Sequence, residues 1–167
     1  TAVKDAYISV REALVHGAAA VNSGLEISWI ESSDLEKMYD AAEALSGYDG
    51  IVIPGGFGER GVEGKIKAIR YARENRMPFV GLCLGLQLMV VEYARNVCGL
   101  EDANSTEFNK KAPHPVVDFL PEQQQISRMG GTMRLGAYDC VLKKGTVAYK
   151  AYGSEMVSER HRHRYEV

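Results

Sequence analysis

The sequence has no cysteine pairs, little net charge and no long apolar run. Its three cysteines are odd in number and form no CxxC pair, which argues against a disulfide framework and a thiolate zinc site. A net charge of -2 gives no overall attraction to nucleic acid or an anionic membrane. The apolar runs are too short to cross a bilayer, and the first residues lack the basic-then-apolar order of a signal peptide. We therefore expect a soluble cytoplasmic protein with no metal, nucleic-acid or membrane partner.

What the chain does have is apolar material for one core. Hydrophobic residues make up 46% of the 167 residues, which suits a single compact domain. The apolar spacing predicts a helix over residues 5–20, a strand over 25–30 and a short helix over 35–45. Ser33 and Glu36 have the spacing of a capping box at the start of that short helix.

The middle of the chain alternates between strand and helix patterns. A β-branched run over 49–53 precedes a helical pattern over 62–76, and an apolar run over 78–82 precedes a helix over 85–97. This order predicts an α/β fold with a mostly parallel sheet and helices on both faces. After Gly99 the pattern loosens, and we expect a less regular, partly antiparallel half.

The segment Gly81-Leu-Cys83-Leu-Gly85 is typical of a nucleophile elbow with cysteine in place of serine. The glycines leave room for a sharp strand-to-helix turn, and the dipole of the following helix favours the thiolate. The alternative is an inert core cysteine, but the order strand, elbow, helix favours catalysis. Cys98 and Cys140 sit among apolar residues and are predicted to be core.

A glycine-rich segment precedes the predicted 62–76 helix. Residues 56–61 formally match the GxGxxG dinucleotide pattern, but the next strand ends at Cys83 and supplies no carboxylate for a ribose. We favour a different role, in which the backbone at Gly56 and the N–H of Leu84 stabilise an oxyanion formed by attack of Cys83. A plain tight turn is the alternative.

The densest positive charge lies in residues 160–164, Arg-His-Arg-His-Arg. A solvated strand face, a polyanion site and a site for a substrate carboxylate all suit this run. His161 and His163 share a face but are weak metal candidates, because the arginines repel a cation and no third ligand is near. These alternatives leave three classes open: an enzyme domain, a cysteine hydrolase or redox sensor acting alone, and a non-catalytic anion-binding module.

Taken together, the motifs resemble the glutaminase domain of the CTP synthase family. The resemblance spans nearly the whole chain and rests on six segments: residues 54–58, 60–65, 81–87, 103–108, 130–136 and 159–167. It implies a flavodoxin-like class I glutamine amidotransferase fold that hydrolyses L-glutamine through a cysteine thioester. In this family the ammonia passes to an N-terminal synthetase domain, which aminates UTP to CTP with ATP and Mg²⁺, in a homotetramer activated by GTP. The glutaminase domain itself needs no cofactor.

The resemblance also implies roles for individual residues. Cys83 is the nucleophile, Glu107 suits the substrate ammonium, and Arg162 suits its carboxylate. The expected oxyanion and glutamine contacts are made by Gly56, Leu84, Gln87, Glu107 and Arg162. A weaker correspondence links GTP activation to the loops that carry Arg60, Thr132 and Arg134.

Two parts of the family pattern do not occur in the printed residues. The family has a strand before the position of Thr1 and a catalytic His-x-Glu beyond Val167, so we expect residues 1–167 to be a glutaminase domain without these ends and without the synthetase domain. As such a piece it is expected to be inactive by itself. No catalytic base is assigned to the histidines of this chain, which are His16, His114, His161 and His163.

Overall fold

A computed structural model describes residues 4–119 and 134–167 of the chain. These residues form two compact units, one comprising residues up to Val117 together with Val167, and the other residues 118–166. Within the described ranges, no helix is both long enough and apolar enough to cross a membrane.

The described part of the chain starts with a 3-10 turn, Lys4–Tyr7, that leads into helix α1, Ile8–Ala20. The first predicted helix is therefore confirmed. The predicted strand over 25–30 is wrong. A strand requires ladder hydrogen bonds to a partner, and no strand or backbone hydrogen bond is found in this stretch of the described chain. The segment stays unpaired, with Trp29 40% exposed.

The short helix expected over 35–45 is two helices, α2 (Ser32–Lys37) and α3 (Ala42–Leu45), separated by four residues. The predicted capping box is also wrong, because the N-cap is Glu31 and no side chain caps the helix. Glu36 instead accepts a hydrogen bond at 3.1 Å from the backbone N–H of Glu63. The Glu36 carboxylate, which the local pattern assigned to the start of α2, thus bonds the start of α4 instead.

The parallel core follows the predicted order. Strand β1, Ile51–Ile53, pairs in parallel with β2, Phe79–Gly81, in a register that places Ile51 opposite Phe79. Helix α4, Val62–Glu74, connects the two strands, and α5, Leu84–Asn96, follows the second. The apolar faces of both helices are buried at Val62, Ile66 and Ile69 of α4 and at Leu84, Leu88 and Val91 of α5. The strand-helix alternation predicted for the middle of the chain is confirmed.

A buried ion pair joins α4 to α5. The Glu92 side chain is only 1% exposed, and its carboxylate accepts hydrogen bonds from Nε and Nη2 of Arg73 at 2.8 to 3.1 Å. Asn96 donates a further hydrogen bond to the same carboxylate at 3.1 Å. The pair therefore fixes the helix that follows Cys83 against its neighbour.

Lys67 of α4 holds the end of α2. Its ammonium donates to the backbone carbonyls of Leu35, Glu36 and Met38 at 3.4, 2.7 and 2.9 Å. These carbonyls lie at the helix C-terminus, where they lack partners within the helix and where a positive charge complements the dipole. One side chain from α4 thus completes the hydrogen bonding of a helix that lies elsewhere in the sequence.

A cavity of about 570 Å³ lies in the first unit between residues 25–32 and strand β1. Tyr7 and Trp29 both line it, and their rings stack with centroids 6.0 Å apart. Its polar lining includes Arg60 and Lys65. The cavity lies between the unpaired segment and β1, at the position where a neighbouring strand would normally pair with the edge of the sheet.

The rest of the first unit is less regular. Strand β3, Ala103–Ser105, runs parallel to the first part of β4, His114–Phe119, with a register shift between Asn104 and Ser105. Ser105 and Val117 are fully buried. This pairing brings the turn that follows β3 to the end of the unit that holds the cysteine elbow.

The second unit is built on an antiparallel ribbon. Strand β5, Arg134–Val141, pairs along its length with β6, Met156–His163, and helix α6, Val147–Tyr152, lies between them in the chain. Strand β7, Tyr165–Glu166, pairs antiparallel with residues 118–119 at the end of β4. The partly antiparallel second half predicted from the sequence is confirmed.

Candidate active site

Cys83 occupies the turn between β2 and α5 and is the N-cap of that helix. Its φ of 52° lies in the left-handed region that non-glycine residues rarely adopt, which indicates a strained backbone. The turn is tight enough to exclude side chains on both sides. A Cβ on Gly81 would lie 2.6 Å from the carbonyl carbon of Gly85, and a Cβ on Gly85 would overlap the carbonyl oxygen of Ile53. The predicted elbow geometry is confirmed.

The thiol of Cys83 lies at the surface but is crowded by its neighbours. Partial desolvation raises the pKa of Cys83, the backbone N–H of Leu84 hydrogen-bonds the sulfur and lowers the pKa, and the negative charge of Glu107 raises it further. The net direction is upward, because desolvation and the charge of Glu107 outweigh the hydrogen bond from Leu84. Cys83 needs a proton acceptor or a nearby positive charge to react at neutral pH.

A loop comprising residues 55–58, here called the 55–58 loop, lies along the elbow. A Cβ on Gly55 would be 3.4 Å from Cβ and 3.9 Å from Sγ of Cys83, and a Cβ on Gly56 would be 3.4 Å from the Leu84 side chain. Tyr7 donates a hydrogen bond from its hydroxyl to the Gly55 carbonyl at 3.0 Å. The two positions expected to form the oxyanion site are therefore neighbours, and their role stays a prediction.

Gln87 and Glu107 reach the same region from different elements. Gln87 lies one turn into α5, is 8% exposed, and donates its backbone N–H to the carbonyl of Cys83 at 3.1 Å. Glu107 follows β3, and its carboxylate accepts a hydrogen bond from the N–H of Gly58 at 3.2 Å. The structure thus brings together Cys83, Leu84, Gly56, Gln87 and Glu107 of the sequence-predicted site.

The remaining predicted site residues belong to other segments of the chain. Arg60 is exposed in the turn before α4 and lines the cavity. Arg162 lies in the second unit, on β6 opposite Leu135, with an exposed side chain. Arg134 is the first residue of β5, and Thr132 lies outside the described residues.

The prediction that Cys98 and Cys140 are core residues is wrong, because both are exposed. Cys98 lies just beyond the end of α5, where the chain turns, and Cys140 lies on a two-stranded ribbon. Apolar neighbours in sequence do not bury a residue at a helix end or on an uncovered ribbon face. Both thiols therefore serve as internal references for the reactivity of Cys83.

Two residues that contact the site were not assigned to it from the sequence. Tyr7 was interpreted only as part of a helical face, yet its hydroxyl contacts the 55–58 loop. Lys65 stands at the end of the Arg60-Gly-x-x-Gly-Lys65 motif, and its ammonium lies 3.8 Å from where a Cβ on Gly56 would be. Desolvation lowers the pKa of Lys65, while Glu36 and Glu107 act in the opposite direction. Only the motif could have indicated Lys65.

The histidines of residues 160–164 make contacts within the second unit. His163 Nε2 lies 2.6 Å from a carboxylate oxygen of Glu166, and the His161 ring packs edge-on against Tyr138. Neither His16 nor His114, the histidines of the first unit, forms a hydrogen bond to Cys83 in the described part of that unit. Across the described ranges, no cluster of three or more potential metal ligands is found.

Curated relatives of the chain are CTP synthases from archaea and bacteria. The CTP synthase of Methanocaldococcus jannaschii is 57% identical over 170 residues, which cover 99% of this chain and 32% of the relative. That of Methanopyrus kandleri is 60% identical over 165 residues, covering 98% of this chain and 31% of the relative. The chain thus spans about a third of the length of the curated relatives it matches.

A solved structure gives the same result for the fold. The glutaminase domain of Trypanosoma brucei CTPS with bound acivicin superposes with a TM-score of 0.88 at 43% identity, covering 98% of this chain and 63% of that chain. The sequence profile described as glutamine amidotransferase class-I matches residues 2–167. The α/β fold built around the cysteine elbow is the fold of this family, and the chain belongs to the class I glutamine amidotransferases.

Proposed function

We propose that the chain is the glutaminase domain of a CTP synthase and that Cys83 hydrolyses L-glutamine to glutamate and ammonia. The observation that carries this proposal is the elbow itself, in which a cysteine with φ of 52° stands between a parallel strand and a helix N-terminus. A non-glycine residue is strained there, and such strain is typical of a functional position. The identity of 57% to 60% with CTP synthases supports glutamine as the substrate.

The chemistry follows from the groups around Cys83. The sulfur attacks the amide carbon of glutamine, and the carbonyl oxygen becomes an oxyanion near the N–H of Leu84 and the backbone at Gly56. The carbon–nitrogen bond then breaks, and the nitrogen takes a proton and leaves as ammonia. Water adds to the glutamyl thioester, which releases glutamate and restores the thiol. Because the pKa of Cys83 is raised, a separate group must accept the thiol proton in the first step.

Substrate recognition is proposed to use complementary charge. Glu107 acts at the Cys83 site and carries the negative charge that an α-ammonium group requires. Gln87 is buried one turn beyond the nucleophile, where its side chain contributes to the wall of the site. Arg162 is proposed to bind the substrate carboxylate, since its fork of donors matches two carboxylate oxygens.

Further proposals concern the whole protein. In them, an N-terminal synthetase domain uses ATP and Mg²⁺ to aminate UTP, and the ammonia comes from the domain described here. GTP acts as an activator through the segments that carry Arg60, Thr132 and Arg134. The exposed guanidinium of Arg60, two residues before α4, suits an anionic group of such an activator. The whole enzyme is proposed to be a cytoplasmic homotetramer.

We also infer that the domain includes one more strand than the printed residues supply. The support is the cavity of about 570 Å³, which has the unpaired residues 25–30 on one side and β1 on the other. Strand β1 pairs only with β2 among the described strands, and a two-stranded sheet is marginal by itself. A strand inserted there gives partners to both walls and covers Trp29, which is 40% exposed.

Labelling with the diazoketone analogue of glutamine tests the proposed activity on this chain. The thiol adds to the diazo carbon with loss of N₂, and the reaction needs a glutamine site and a partly ionised thiol. We expect modification of Cys83 and not of exposed Cys98 or Cys140, with protection by glutamine. Peptide mass mapping identifies the labelled residue. Equal labelling of all three cysteines, or no protection by glutamine, contradicts the proposal.

A further inference from the structure

Lys65 lies next to the active-site loop without an evident role in folding. It is half-buried in the first turn of α4, where a positive charge is unfavourable because the helix dipole is positive at that end. No hydrogen bond or ion pair to its ammonium is found within the described part of the chain. Its ammonium lies 3.8 Å from the Cβ position of Gly56. Helix stability therefore does not account for this lysine.

The 55–58 loop cannot hold its own position. Three of its four residues are glycines, and the side chain of Phe57 is 82% exposed, so no side chain of the loop is anchored in the core. The anchors come from outside. Tyr7 donates to the carbonyl of Gly55, and Glu107 accepts from the N–H of Gly58.

Lys65 approaches the loop at the position between these two. Its ammonium lies beside Gly56 and feels the opposite charges of Glu36 and Glu107, and Glu107 hydrogen-bonds the loop at Gly58. The ammonium of Lys65 on α4 and the carboxylate of Glu107 in the turn after β3 thus lie beside neighbouring residues of the same loop. Their attraction is strengthened because Lys65 is partly desolvated.

We propose that Lys65 is a positioning residue whose positive charge, acting together with Glu107, holds the 55–58 loop against Cys83. The effect of Lys65 on the reaction rests on the proposed glutaminase activity. Its role in holding the 55–58 loop does not. Loss of the positive charge loosens the loop and displaces the backbone at Gly56 from the oxyanion. Binding of the analogue is affected less, because Glu107 and Gln87 remain.

Amide hydrogen exchange on the whole chain tests the structural content. In Lys65→Met, which keeps the aliphatic stem and removes the charge, we expect the peptide spanning residues 54–60 to exchange about five- to tenfold faster than in the wild type. Lys65→Arg, which keeps the positive charge, should leave the exchange rate of this peptide as in the wild type. The control is Lys37→Met, which removes a lysine of α2 that is 77% exposed and pairs with Asp34 of the same helix. Unchanged exchange in Lys65→Met overturns the proposal, whatever the labelling shows.

Labelling kinetics test the catalytic consequence. With the diazoketone analogue at several concentrations, Lys65→Met should lower the maximal inactivation rate by about tenfold and change the half-saturating concentration by less than about threefold. Alkylation of Cys83 by iodoacetamide, which needs no oxyanion site, should stay within about twofold of the wild type. An equal fall in both reactions, or an equal fall in the methionine and arginine variants, overturns the positioning role.

The two measurements separate this inference from the proposed function. If the wild type is not labelled with protection by glutamine, the glutaminase proposal fails, while the exchange comparison still decides whether Lys65 holds the loop. If the wild type is labelled normally and Lys65→Met exchanges and reacts like the wild type, only the role of Lys65 fails.

Discussion

Replacement of Arg73 by methionine should destabilise the first unit strongly. The change leaves the carboxylate of Glu92, which is 1% exposed, without the guanidinium that donates to it at 2.8 to 3.1 Å. Removing one partner of a buried ion pair costs about 3–5 kcal/mol. The Arg73 side chain is 32% exposed and Asn96 still donates at 3.1 Å, so we expect the low end, about 3 kcal/mol.

A double-mutant cycle distinguishes this cost from lost packing. Once Arg73→Met is present, Glu92→Met removes the unpaired charge and fills the same volume, so the double variant should return to within about 1.5 kcal/mol of the wild type. Urea unfolding followed by the fluorescence of Trp29, the one tryptophan, reports on the unit that contains the pair. With a slope of about 2 kcal/mol per molar urea, the Arg73→Met midpoint should fall by about 1.5 M.

Two results would refute this reasoning. A loss below about 1 kcal/mol in Arg73→Met would mean that Glu92 is already solvated or paired elsewhere. A double variant as unstable as the single variant would mean that the stems of the side chains, and not the charges, hold α4 to α5.

Four further predictions concern the site. In the proposed full-length CTP synthase, Cys83→Ser should abolish glutamine-dependent CTP formation and leave ammonia-dependent formation largely intact; equal loss of both would remove Cys83 from glutaminolysis. Arg162→Ala should weaken the apparent binding of glutamine by about 1.5–3 kcal/mol. An Arg162→Lys variant with the same apparent glutamine affinity as the wild type would exclude a bidentate contact. Gly85→Ala should cost about 1–3 kcal/mol in thermal unfolding because its methyl group meets the Ile53 carbonyl, whereas Gly17→Ala, with open space around it, should be neutral or stabilising. Because the negative charge of Glu107 raises the pKa of Cys83, Glu107→Gln should move the pH midpoint of iodoacetamide alkylation downward, and an upward shift would contradict the assigned charge effect.

The sequence predicted the parts of the fold whose partners are close in the chain. The order from β1 through α4 and β2 to α5 was readable because strand runs, helical spacing and glycines at the elbow all agree there. The prediction of a strand over 25–30 is wrong, because the alternation of its residues is that of a strand while pairing depends on what lies beside it. Local pattern cannot report the presence of a partner.

The site was predictable to the extent that motifs mark it. Cys83 and Glu107 come from recognisable segments, and the structure places both at the 55–58 loop. The contacts of Tyr7 and Lys65 were not predictable, since each joins positions far apart in sequence or acts on backbone that carries no side-chain signal. The direction of the Cys83 pKa was also beyond the sequence, because desolvation depends on packing around the thiol.

The hydrogen bonds that Lys67 donates to the end of α2 have a consequence for a proteolytically cleaved chain. A six-residue helix is too short to persist alone, so α2 exists because α4 supplies the partners for its last carbonyls. Between α2 and α3, Tyr39 is fully exposed and offers a cleavage site to chymotrypsin. Lys67 lies after this cleavage site in the sequence, and its ammonium donates hydrogen bonds to carbonyls that lie before it. A chain cleaved after Tyr39 should therefore stay together as two non-covalently associated fragments that separate only on unfolding.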